Sequence, residues 1–154
     1  MRRSRDAPKR RGMAKMPADY RWNAEAGLTI GRLKGSVAPE EVRDALIAAM
    51  ASGDYPAGAD RITIVPNETR LHLLDLDGLR RIQAIIEAHE RAAADEPNYR
   101  SVFVCSDRLK HPIFDLYRMV WRTRGFQSVR YRILADTRSA FAWLGRDPEA
   151  AERL

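Results

Sequence analysis

The stretch LHLLDLDGLRRIQ, Leu71 to Gln83, sets two carboxylates, Asp75 and Asp77, one residue apart just ahead of Gly78. Three chemistries compete for such a pair: metal ligation, acid–base catalysis and capping of a helix N-terminus. A calcium loop of the helix–loop–helix kind needs oxygen ligands at its first, third and fifth positions and glycine at the sixth. Here glycine arrives at the fourth position and leucines flank the acids, so the spacing is wrong for calcium. An acid–base pair needs a third group that assigns the two roles, and the stretch supplies neither that nor a glycine-rich cradle. Capping asks only for an acid just before the first helical residue, where it accepts orphan backbone N–H bonds at the positive end of the helix dipole, for about 1 kcal/mol. The sequence favours the cap.

A second group is Cys105, Asp107 and His111, which follow a β-rich run within one loop. The carboxyl ends of strands in open α/β sheets are where reactive groups gather, and a cysteine near a histidine is a conceivable thiolate–imidazole pair. The alternative is a small buried hydrophobe. The three histidines, His72, His89 and His111, show no helical ligand spacing, and one cysteine makes neither a disulfide framework nor a multi-cysteine zinc site. Nucleotide-binding glycine fingerprints, nucleophile elbows and zinc signatures are all missing from the sequence. No catalytic residue, metal or cofactor is assigned.

These residues need elements to position them. YRWNAEAGLTIGRLKG reads as two strands around a turn at Gly27, with Leu28 and Ile30 on one buried face and Thr29 and Gly31 on the other side. SVAPEEVRDALIAAM starts a helix, with Pro39 at its first position and Glu40 and Glu41 in the first turn. RITIV is a short buried strand ended by Pro66, and a second helix runs from Leu79 with Ile82, Ile85, Ile86 and His89 near one face. YRSVFVC and SVRYRIL are further strands. Between them HPIFDLYRMVWRTRG is a helix begun by Pro112 and stopped by Gly125, and DTRSAFAWLG closes the chain with Asp136 or Thr137 as cap. RDPEAAERL extends the last helix or frays.

The order β-β-α-β-α-β-α-β-α predicts an α/β fold: a mixed, mostly parallel sheet of about five strands, an N-terminal hairpin and four helices. Residues 17–146 make one domain, residues 1–16 a basic tail and residues 147–154 a C-terminal extension.

In the third helix Ile113, Phe114, Leu116, Tyr117, Met119, Val120 and Trp121 cover more circumference than one core-facing stripe requires. Phe114, Tyr117 and Trp121 therefore mark an expected surface for a ligand or for self-association as a homodimer. Arg118, Arg122, Arg124, Arg130 and Arg132 lie close by in sequence, either as an anion-attracting rim or as stems covering aromatic surface.

The chain has 27 basic and 21 acidic residues, a net charge of +6. Residues 1–16 hold seven basic side chains against Asp6 alone, which leaves 20 of each sign in the remainder. The folded body is neutral, and any contact with nucleic acid or anionic lipid belongs to the tail. Met13 and Met16 offer later translation starts that would remove it. No apolar run approaches the roughly 18 residues of a membrane span, and no signal-peptide core follows the basic start, so the expected location is the cytoplasm.

From Tyr20 to Gly145 the chain resembles the small bacterial STAS-like proteins, the SpoIIAA-like relatives of anti-sigma-factor antagonists. The likeness is carried by GRLKGSVAPEEV, GDYPAG, RSVFVCSD, FDLYRMVW and SAFAWLG in that order. It implies a compact module that binds a protein partner rather than catalysing a reaction. In those antagonists a D-S-S-G-L segment opens a helix, and a partner kinase phosphorylates the serine before the glycine. LDLDGL matches it with Asp75, Gly78 and Leu79, but Leu76 and Asp77 stand where serines would be. A phosphoswitch has no hydroxyl there, and Asp77 supplies less charge and fewer acceptor oxygens than a phosphate. Many relatives also carry Asp-x-Arg after the third strand, where VPNETR here has Pro66 and Asn67 with Arg70 displaced. The resemblance implies an interaction surface of Asp75, Asp77, Gly78 and Arg70. Two alternatives stand beside it: a carrier of a small apolar or lipid-like ligand, and a thiol enzyme using Cys105.

Overall fold

A computed structural model of the chain describes residues 16–107, 111–124 and 126–154. The basic tail, apart from Met16, lies outside the described residues, as does Gly125, the expected stop of the third helix.

Strands β1 (Ala18–Asn23) and β2 (Leu28–Leu33) form the antiparallel hairpin. Gly27 closes it at φ 63°, a left-handed conformation that a Cβ disfavours. Tyr20 lies opposite Gly31, and a Cβ on Gly31 would stand 2.6 Å from the tyrosine ring, so the glycine makes room for the aromatic. Helix α1 (Pro39–Ser52) has Pro39 at its first position, and Glu41 reaches back to accept from the Ala38 N–H at 2.8 Å. Strand β3 (Arg61–Ile64) is followed by α2 (Leu76–Ala93), β4 (Arg100–Val104), α3 (Ile113–Arg124), β5 (Arg130–Leu134) and α4 (Thr137–Trp143). Asp136 caps α4 by accepting from the Ser139 N–H at 2.7 Å. Helix α2 begins at Leu76 rather than Leu79, because Asp75 caps the turn before the apolar periodicity starts. The last residues neither lengthen α4 nor fray: Pro148–Arg153 form a 3₁₀ helix that buries Ala151.

The sheet order is β1-β2-β3-β4-β5, antiparallel for the first pair and parallel thereafter. Each crossover from β2 to β5 steps to the next neighbour in the same direction. Right-handed connections then place α1, α2 and α3 on one face. Leu46, Ile82, Ile86, Phe114 and Trp121 pack there against Leu33, Phe103 and Tyr131. On the other face Ala140 and Phe141 of α4, with Leu144 just after it, cover Leu28, Ile30, Ile62 and Val102. Strand β2 is therefore buried on both sides rather than one. Thr29, expected on an open face, is 2% exposed, and its hydroxyl donates to the Asp54 carbonyl at 3.1 Å.

One ion cluster ties the strand starts to the chain end. Asp60 accepts from the Arg100 backbone N–H at 2.8 Å and from the guanidinium groups of Arg100 and Arg146 at 2.9 and 2.8 Å. Arg146 also donates to the Ala26 and Gly27 carbonyls of the hairpin turn. Burial pushes the Asp60 carboxyl up, but these donors outweigh it and hold it below the usual carboxylate range.

Candidate functional site

The segment from β3 to α2 is irregular yet fixed. The Val65 N–H donates to the Val104 carbonyl at 2.9 Å, and the Thr69 hydroxyl donates to the Leu33 carbonyl at 3.0 Å. Arg70 makes a parallel bridge to Ser36: its N–H donates to the Gly35 carbonyl at 2.7 Å, and its carbonyl accepts from the Val37 N–H at 2.9 Å. Leu71 is buried as a plug, and the Leu74 N–H returns to the Leu71 carbonyl. On this anchored backbone the side chains of Arg70, His72, Leu73, Asp75 and Asp77 are exposed.

The two acids divide the work. Asp75 accepts from the Gly78 N–H at 2.7 Å and is the N-cap of α2. Asp77 stands in the first turn with its side chain 81% exposed, and its ion pair with Arg80 is 3.9 Å long between two exposed groups, a contact worth little. The fold uses Asp75 and leaves Asp77 to solvent. Gly78 departs from the expectation that it belongs to a presented surface. It is buried, its N–H is taken by Asp75, and a Cβ there would lie 2.6 Å from Cγ of Pro39. Its role is to let the starts of α1 and α2 approach.

Beside this loop, a groove of about 600 Å³ runs between residues 67–74 and the beginning of α3. Leu71, Leu74, Ile113 and Leu116 supply apolar wall, and Asn67, Arg70, His72, His111 and Asp115 supply polar groups. It opens at the carboxyl ends of β3 and β4, where open parallel sheets place ligands. Two of its polar atoms are buried without a hydrogen-bond partner: Oδ1 of Asn67 and Nε2 of His111, the latter on a residue 4% exposed. An unsatisfied buried group costs about 1–3 kcal/mol, so a fold carrying two in one groove calls for an explanation.

Under α1–α3 lies an internal cavity of about 60 Å³. Thr63 and Ser101, short side chains in mid-sheet, leave the space, and Leu46, Ile82, Phe103 and Trp121 are among its walls. Phe114, Tyr117 and Trp121 line this cavity; Phe114 and Trp121 are 4% and 5% exposed, so these aromatics face inward rather than forming an outer self-association surface. They pack with Phe103 and Tyr131 at centroid separations of 4.5 to 5.9 Å. The apolar side chains α3 shows to solvent are Leu116 and Met119. Arg118, Arg122, Arg130 and Arg132 are exposed, with the Arg132 guanidinium 5.9 Å from the Trp143 ring centre.

The N-terminal end of the cavity holds a buried ion pair with no counterpart in the sequence reading. Arg61 meets Glu90 at 2.5 Å, with side chains 6% and 1% exposed. The guanidinium lies 3.8 Å from the Tyr99 ring centre and 4.3 Å from that of Tyr55, and it donates to the Tyr55 hydroxyl. Glu90 also accepts from the Gly58 N–H at 2.8 Å. Burial lowers the tendency of Arg61 to hold its proton, but Tyr55, Tyr99 and Glu90 outweigh it and secure the charge. The signal for Arg61 was a charge opening a strand too apolar to have a wet face; nothing local pointed to Glu90, 29 residues away.

Cys105 is 2% exposed, and its thiol donates to the Asp107 carbonyl at 3.4 Å, the environment of a core cysteine. Among the described residues no group of three or more His, Cys, Asp or Glu is placed to hold a metal. No helix among them is long and apolar enough to cross a membrane.

Comparison with protein-family models, with curated proteins and with solved structures returned no match.

Proposed function

We propose that the chain is a STAS-like interaction module of the cytoplasm that acts by binding a protein partner, with the loop Arg70–Asp77 as its docking surface. The observation that carries this reading is the contrast within that loop. Its backbone is pinned by strand-like bonds and a cap, while Arg70, His72, Leu73 and Asp77 point to solvent and serve no fold contact of consequence. A rigid loop with idle side chains is preorganised for binding, since little ordering entropy remains to be lost. Arg70 and Asp77 give the surface opposite charges that a complementary partner reads, and Leu73, 48% exposed, gives it an apolar anchor. With Leu76 and Asp77 at the positions of the family serines, the module works without phosphorylation there.

The test is affinity capture from the native cell. The wild-type chain retains a partner that Asp77→Ala and Leu73→Ser each lose at least tenfold, while both variants keep the wild-type unfolding midpoint. Equal recovery by wild type and variants removes the surface from the account.

A second reading, a carrier of a small apolar ligand, draws on the aromatic and aliphatic walls of the internal cavity, which at about 60 Å³ would have to widen before it held even a benzene ring, for which roughly 150 Å³ is needed. Native mass spectrometry of freshly purified protein would show a non-covalent adduct; a mass equal to that of the bare chain speaks against it.

A further inference from the structure

We propose that the groove between residues 67–74 and the start of α3 binds a small organic monoanion: an apolar body carrying a carboxylate and an adjacent hydroxyl. The groove shares Arg70 with the proposed docking loop, but the inference rests besides on Asn67 and His111, neither of which belongs to that loop's outward side chains.

Four observations converge. The groove, at about 600 Å³, has the size of a small-molecule site and lies where parallel strands end. Its buried polar atoms, Asn67 Oδ1 and His111 Nε2, lack partners in the protein. A hydroxyl matches both, since it donates its one proton to the carboxamide oxygen and accepts from the imidazole Nε2–H. Arg70 lines the same groove, exposed and without a carboxylate partner among the described residues, and a guanidinium pairs with a carboxylate through two parallel N–H donors.

The charge of the ligand follows from the rest of the lining. Arg70 is the one arginine or lysine among the described lining residues, and a single guanidinium matches the charge of a monoanion. A carboxylate is therefore preferred. Leu71, Leu74 and Ile113 give the groove an apolar wall for the ligand's body, while the acid and hydroxyl stay with Arg70, His111 and Asn67.

The probe is mandelate, with phenylacetate lacking the hydroxyl and benzyl alcohol lacking the carboxylate. Titrations of the full-length chain are followed by two-dimensional NMR. Mandelate shifts the Asn67 and His111 signals saturably and binds at least tenfold more tightly than either analogue. Arg70→Gln, a change at an exposed side chain, lowers mandelate affinity at least tenfold, and so does His111→Phe. Should His111→Phe fail to fold, the analogue series and Arg70→Gln decide the matter alone. Absence of saturable shifts, equal affinity for mandelate and phenylacetate, or tighter binding of inorganic phosphate or phosphatidylglycerol vesicles than of mandelate overturns the proposal. Loss of mandelate binding in His111→Phe with partner capture intact separates this site from the docking loop.

Discussion

Arg61 and Glu90 place opposite charges where either alone would be expensive. Both are almost fully removed from water, and the pair is held by Tyr55, Tyr99 and the Gly58 N–H as well as by its own contact. Removing one partner strands the other, which costs about 3–5 kcal/mol, whereas replacing both by apolar groups of similar volume is often neutral or stabilising. Arg61→Met is expected to lower stability by about that amount in urea unfolding, and Arg61→Met with Glu90→Leu to recover most of it. If the double variant is as unstable as the single one, the pair is not an isolated unit. At this scale the sequence discloses only what is local. Asp75 was legible as a cap because capping depends on a residue and the three that follow it. The orphan atoms of Asn67 and His111, on two separate loops, and the pairing of Arg61 with Glu90 depend on crossovers that no short window contains.

Helix α2 shows how an element inherits its limits from a neighbour. Its register is set by Asp75, and its distance from α1 by Gly78 meeting Pro39. In a helix free of neighbours, glycine to alanine stabilises by about 1 kcal/mol. Here the new Cβ would sit 2.6 Å from the proline ring, so Gly78→Ala is expected to destabilise by about 1–3 kcal/mol. The sign of the change in unfolding midpoint checks the argument, and a gain in stability contradicts it. Element order and type were legible from periodicity, Pro39 and the acids at helix starts. The burial of both faces of β2 was not, because its alternation of Leu28 and Ile30 with Thr29 and Gly31 is that of a strand with one wet face. The polar face is needed for fit: Gly31 admits Tyr20, and Thr29 finds the Asp54 carbonyl.

Across the whole molecule, all five tyrosines, at positions 20, 55, 99, 117 and 131, gather on the face covered by α1–α3. Burial is the first cause of a raised hydroxyl pKa at each, with Tyr99 pushed up to about 12 and the others also raised. A raised folded value means that the unfolded chain releases these protons first. Stability is therefore fully present below the ordinary tyrosine value of about 10 and is lost as pH rises beyond it. Tyrosinate absorbance should appear together with loss of circular dichroism above that pH; a full tyrosine titration centred near 10 with the fold intact contradicts the burial of these hydroxyls. On the proposed docking role, the neutral balance of charge outside residues 1–16 leaves recognition to local groups rather than to a long-range field, with Arg70, His72, Leu73 and Asp77 among the side chains the fold exposes.

The most direct measurement of that docking role is site-specific photo-crosslinking in the native cell. A photoreactive amino acid at Leu73 is predicted to yield one discrete adduct, lost on adding Asp77→Ala, while the same probe at Ile47, equally exposed on α1, yields none. No adduct from position 73, or the same adducts from both positions, would contradict the account.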